Sequence, residues 1–135
     1  MKIINFLSFI TLIALLAGCS SKGTVHPSQL TKTAQINETH CYNDKIEIIE
    51  DRLNQFLKKC YISSRFSSNA IKTGNIPKGK RISLTTGTNY QYSAELRKNV
   101  KECKTQAIMY GIDKSWAETL YQSNLAAYGN AHKCP

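Results

Sequence analysis

The stretch YSAELRKNVKECKTQAIMY, residues 92–110, decides the fold. Leu96, Val100, Cys103, Ala107 and Tyr110 recur at spacings of four, three, four and three, the repeat of a single apolar stripe on a helix. Ser93 is a candidate cap and Gly111 a candidate stop. Arg97, Lys98, Lys101 and Lys104 occupy the remaining surface, so the helix expected here is basic as well as amphipathic.

Working outward, the chain on either side carries the same kind of signal. Before it, Asp44 with Glu47 makes a capping-box-like start, and Ile46, Ile49, Leu53, Phe56 and Cys60 follow on one stripe. A seam of this kind asks for a partner helix, within the chain or on another molecule. After it, Asp113 is a cap, Ser115 with Glu118 a second capping box, and Gly129 a stop. On that third helix Trp116, Leu120 and Tyr121 are expected to face inward, with Ala117, Leu125 and Tyr128 nearby. Trp116 reads as core rather than as an exposed anchor.

Between the first two helices, residues 62–91 are broken by Ser63, Ser64, Ser67, Ser68, Gly74, Pro77, Gly79 and Gly87. Residues 81–85 alternate and could form a short strand, but an isolated strand has nothing to pair with. The segment reads as a long basic loop in which Lys72, Lys78, Lys80 and Arg81 concentrate positive charge. It is not a nucleotide-binding loop, because Gly79 and Lys80 are followed by Arg81 where Ser or Thr is required. The expected fold is mainly α: a small three-helix domain with a long basic loop, stabilised by two disulfides.

The first residues speak to location. Leu16, Ala17, Gly18 and Cys19 close an apolar run of about 14 residues, shorter than the roughly 20 of a membrane span, behind Met1 and Lys2. The box resembles a bacterial lipoprotein signal. The resemblance implies that Cys19 becomes the first residue of the mature chain and carries the lipid, and that Ser20, not Asp, points to the outer membrane with the domain facing the periplasm. A secretory cut after Ala17, leaving Cys19 free, is the alternative. The domain plan is then a signal peptide at 1–18, a polar tether at 19–40 and a periplasmic domain at 41–135. Fully extended, a tether of roughly 20 residues reaches about 70 Å, and as a coil about 25 Å.

Five cysteines are odd in number, but a lipidated Cys19 leaves Cys41, Cys60, Cys103 and Cys134, an even set in an oxidising space. If the helices run up, down and up, Cys41 and Cys103 lie toward one end and Cys60 and Cys134 toward the other. That favours those two pairs among three connectivities, with intermolecular pairing, and hence a homo-oligomer, left open. His40 and His132 flank cysteines, yet the set lacks paired C-x-x-C spacing, so neither a metal nor another cofactor is expected.

Removal of 1–18 takes only Lys2 among the charges, leaving 17 basic and 9 acidic residues. A basic periplasmic chain could meet anionic headgroups, an envelope polymer or an acidic protein. Nucleic acid is not expected, since the signal removes the chain from the cytoplasm and no nucleic-acid motif is present. The acids sit mostly at helix starts or on solvated faces, and oxidised cysteines cannot serve a Cys–His mechanism, so no catalytic residue is expected. Lys72, Lys78, Lys80, Arg81, Arg97 and Lys101 are the candidate partner-binding residues.

Residues 82–110, ISLTTGTNYQYSAELRKNVKECKTQAIMY, are similar to the C-terminal part of outer-membrane spanin lipoproteins of phage lysis cassettes. The resemblance rests on Leu84, Thr86 and Gly87 before a helix bearing Glu95, Leu96 and Cys103. It implies a non-catalytic, lipid-anchored subunit that binds a protein partner across the periplasm in the last step of lysis. This chain departs from that family in its few prolines and its third helix. Two other readings stand beside it: an immunity or exclusion lipoprotein that protects the cell from a toxin, phage or conjugating donor, and a structural lipoprotein of an envelope assembly.

Overall fold

In the computed structural model, which describes residues 25–62 and 68–135, the stretch 92–110 is a pair of antiparallel strands and not a helix. The expected lipoprotein signal, Cys19 and the first residues of the expected tether lie outside the described residues, as does 63–67 of the expected loop. In chain order the elements are α1 (Pro27–Thr33), β1 (Ile36–Tyr42), α2 (Ile46–Leu57), a π-helical turn (Lys58–Ile62), β2 (Asn69–Ile76), β3 (Gly79–Thr86), β4 (Asn89–Val100), β5 (Cys103–Gly111), a 3-10 turn (Lys114–Trp116) and α3 (Ala117–Tyr128). The five strands form one antiparallel sheet in the order β1-β5-β4-β3-β2. The mainly α expectation is therefore corrected to a mixed fold, a sheet with helices on it.

The physical reason lies in a second period within the same letters. Tyr92, Ala94 and Leu96 alternate with Ser93, Glu95 and Arg97, and Thr105, Ala107 and Met109 alternate with Gln106, Ile108 and Tyr110. A period of two sends these sets to opposite faces of a strand. The register pairs Leu96 with Ala107, Ala94 with Met109 and Tyr92 with Gly111, so the small and apolar residues meet across the ladder. Of the supposed helical stripe, Val100 and Cys103 instead close the turn between the strands.

The expected loop is mostly sheet as well. β2 pairs with β3 from Asn69↔Thr86 to Ile76↔Gly79, and β3 pairs with β4 through Ile82↔Ala94 and Leu84↔Tyr92. The alternation at 81–85 thus belongs to β3, which has a partner on each side.

Two of the three expected helices stand. On α2 the residues Ile46, Ile49, Leu53 and Phe56 are buried, as one stripe should be when it faces a sheet. They meet Ile82, Leu84, Tyr92, Leu96 and Met109 from the sheet and Leu120, Ala126 and Ala127 from α3 in one core. Asp113 accepts from the backbone N–H of Ser115, and Gly129 closes α3 at φ 78°, a conformation glycine adopts at little cost. Leu120 is buried and the half-exposed Tyr128 packs its ring against Tyr42 at 4.7 Å, but Tyr121 points outward, against the expectation of an inward Tyr121. Trp116 packs at the rim of the core, stacked on Tyr61 at 5.8 Å.

The domain also starts earlier than residue 41. β1 joins the sheet beside β5, from Ile36↔Gly111 to Tyr42↔Thr105, and α1 lies on β4 and β5 with Leu30 fully buried. The polar composition of 25–40 conceals these elements because β1 alternates and α1 contributes a single core side chain. Pro27–Thr33 and residues 36–40 of the expected tether thus belong to the folded domain.

The disulfides join Cys41 to Cys103 and Cys60 to Cys134, each with Cα atoms 5.2 Å apart. These are the pairs the sequence favours, brought together by different geometry: one links β1 to the start of β5, the other the turn after α2 to the C-terminal segment. Closing loops of 62 and 74 residues, each should stabilise the domain by about 2–4 kcal/mol.

Candidate functional site

Two surfaces stand out, and the first is one end of the sheet. There the β2–β3 turn at Pro77–Lys78, the β4–β5 turn at Lys101–Glu102 and the start of α2 come together. Lys78, Asn99 and Lys101 adopt positive φ values of 61°, 52° and 55°, which let the two hairpins reverse without glycine at those places. The backbone N–H of Lys98 donates to the carbonyl of Lys78 at 3.0 Å and holds the hairpins side by side. Gly79 permits this approach, since a Cβ there would lie 1.8 Å from the Leu96 carbonyl oxygen.

Side chains make this end basic. A cleft of about 640 Å³ is lined by Asn75, Lys78, Gly79, Lys80, Lys98 and Asn99. A second, of about 540 Å³, is lined by Lys45, Ile46, Glu47, Lys98, Asn99 and Lys104. Lys98 and Asn99 form the ridge between them. Lys80 donates to Glu50 at 2.6 Å and Lys98 to Glu47 at 3.1 Å, tying the sheet to α2. A backbone N–H at the start of α2, and then Lys98, hold the Glu47 carboxyl below the usual range, while Glu50 raises the Lys80 ammonium. Lys45, Lys78, Lys101 and Lys104 have no ion-pair partner among the described residues.

The expected partner-binding residues divide accordingly. Lys78, Lys80 and Lys101 are at this end, whereas Lys72 lies on the edge strand β2. Arg81 and Arg97 are not available in the same way, because both donate to the buried Glu95, at 2.8 and 2.7 Å. Lys45, Lys98 and Lys104 join the basic end without having been singled out. Lys98 and Lys104 would share the basic surface of a helical reading of 92–110 as well, but the β4–β5 hairpin is what brings them beside Lys45 and the β2–β3 turn.

The second surface is the outer side of α3. Tyr121 is 54% exposed and Tyr128 47% exposed, with Leu125 between them. At spacings of four and three these side chains share one face of the helix. Beside them a groove of about 430 Å³ is lined by Glu118, Tyr121, Gln122, Leu125 and the C-terminal residues Ala131, His132 and Lys133. The helix carrying this face is firmly held. The Tyr42 hydroxyl donates to Asn124 at 2.7 Å, the Tyr128 hydroxyl to the Cys41 carbonyl at 3.1 Å, and Arg52 to the Ala127 carbonyl at 3.0 Å. The C-terminal segment is pinned by Cys60–Cys134 and by the Lys133 N–H donating to Gln122 at 2.8 Å.

Neither surface assembles reactive groups. Among the described residues no group of three or more His, Cys, Asp or Glu side chains is placed to hold a metal. His40 is bonded to Glu38 at 3.0 Å, and His132 packs on the Phe56 ring with centroids 5.6 Å apart. No helix among the described residues is long and apolar enough to cross a membrane. No family model, curated protein or solved structure matches the chain.

Proposed function

We propose that this chain is a non-catalytic, lipid-anchored envelope protein that binds a protein partner in the periplasm, through the tyrosine face of α3. The observation that carries the reading is the pair Tyr121 and Tyr128, about half exposed around Leu125 on a helix fixed at both ends. Tyrosine gives large contact area with few rotatable bonds and is enriched at the cores of protein interfaces. Because the helix and the C-terminal segment are held by a disulfide and side-chain hydrogen bonds, little ordering is left for binding to impose. Two disulfides in so small a domain accord with an oxidising compartment, which supports the export reading.

The lysis-subunit version of this proposal draws on a helix over 82–110. That segment is β3 to β5, so what remains of the resemblance is the lipoprotein box and a short run of letters, and the proposal is kept at the level of partner binding. A photo-crosslinking residue placed at position 121 of the full chain, in cells that make it naturally, should yield a discrete crosslinked protein. The same residue at Lys114, exposed on the adjoining turn, should not. Identical products at both positions, or none at 121, would overturn the proposal.

A further inference from the structure

We infer that the basic end of the sheet is a docking surface for the anionic phospholipid headgroups of the bilayer that holds the anchor. The inference rests on Cys19 being lipidated, and on how the fold shortens the path from that residue. With α1 part of the domain, only eight residue steps separate Cys19 from Pro27. Fully extended they span about 28 Å, and as a coil about 16 Å.

That path enters the domain over the middle of β2 and β3, about half a strand from the basic end. Pro27 lies in a small cleft that runs from Gly74 and Arg81, which face each other in the β2–β3 register, to Lys72, Ser83 and Tyr90. Gly74 is three residues from Pro77, or about 10 Å at the rise of a strand. An anchored domain therefore carries the Pro77–Lys78 and Lys101–Glu102 turns within reach of the leaflet. A tethered surface meets its target at a high effective concentration, which a free acidic protein does not share.

Charge complements this placement. Lys45, Lys78, Lys101 and Lys104 lack ion-pair partners among the described residues, and Glu102 is the acid that stands beside them in the turn. Nearby Glu47 and Glu50 are engaged by Lys98 and Lys80, and Asp44 by Arg52. Lysines at the tips of hairpins can reach a headgroup layer without burying their charge.

The test uses the mature full chain as processed by the cells that make it, on vesicles of neutral phosphatidylcholine or of phosphatidylcholine with phosphatidylglycerol, with lysine acetylation rates read by mass spectrometry. On the anionic vesicles Lys78, Lys101 and Lys104 should label at least about fivefold more slowly than on neutral ones. Lys32 and Lys114 should be unchanged, and about 0.5 M salt should abolish the difference. A variant with Lys78→Glu, Lys101→Glu and Lys104→Glu, all at exposed positions, should lose protection at Lys45 while remaining folded. Flotation with both vesicles but equal labelling overturns the docking and leaves the anchor standing. Failure to float even with neutral vesicles overturns the anchor and the docking together.

Discussion

Arg81 and Glu95 stand opposite one another on β3 and β4, and the guanidinium donates to the carboxylate at 2.8 Å on the face of the sheet away from α2 and α3. Arg97 donates to the other carboxylate oxygen at 2.7 Å, and the Glu95 side chain is 6% exposed. Replacing Glu95 by Ala leaves two guanidiniums without their acceptor. The expected loss is about 3 kcal/mol, the low end for a buried pair because both arginines keep some contact with water. Urea unfolding would measure it. A loss within about 0.5 kcal/mol, as for a solvated helix position, would contradict the sheet.

That contrast shows what was legible in the sequence. α2 could be read because Ile46, Ile49, Leu53 and Phe56 follow a helical period that no strand period imitates. α3 and the 3-10 turn leading into it could be read from Asp113, which caps the turn, and Gly129, which closes the helix. The β4–β5 hairpin could not, because Leu96, Val100, Cys103, Ala107 and Tyr110 satisfy a helical spacing by coincidence. Its turn at Lys101–Glu102 also lacks the Asn-Gly type of signal. The outer face hid the strands further, since α1 covers part of it and it is lined with Ser83, Ser93, Thr85 and Glu95, which read as loop or solvent. Of the basic end, Lys78, Lys80, Lys101 and Lys104 were visible as charge, but their meeting with Lys45 required the hairpin. The outward Tyr121 was hidden because an aromatic at helical spacing next to Leu120 reads as core.

Two glycines in neighbouring strands should respond oppositely to alanine. A Cβ at Gly79 collides with backbone at 1.8 Å, whereas one at Gly74 meets nothing within 4 Å. Gly79→Ala should cost about 1–3 kcal/mol by forcing β3 from β4. Gly74→Ala should be neutral or stabilise by up to about 1 kcal/mol. Equal midpoints in a denaturant series would contradict the β3–β4 packing.

Tyr92 and Tyr42 separate in the same way. The Tyr92 hydroxyl and Ser123 Oγ are both buried without a well-formed hydrogen bond, while the Tyr42 hydroxyl donates to Asn124 at 2.7 Å. Tyr92→Phe should be neutral or stabilising, and Tyr42→Phe should cost about 1 kcal/mol. Thermal unfolding of the two variants, side by side, provides the comparison.

Burial raises the phenols of Tyr42 and Tyr92 well above the ordinary value of 10.0. Each binds its proton more tightly folded than unfolded, so its contribution is fully present below about pH 10 and is lost progressively above it. Of the seven tyrosines, these two should ionise only as the domain unfolds. A tyrosinate absorbance titration with near-ultraviolet circular dichroism would show this as two phenols released together with loss of the aromatic signal. Ionisation of all seven while that signal persists would contradict the core assigned to Tyr42 and Tyr92.

The proposed anchor at Cys19 would set where the domain works and what its basic end meets, and the mass of the mature N-terminal peptide tests it most directly. The account predicts a chain that begins at Cys19 and carries a diacylglyceryl group on its sulfur. A chain that begins at Gly18, or an unmodified Cys19, would contradict it.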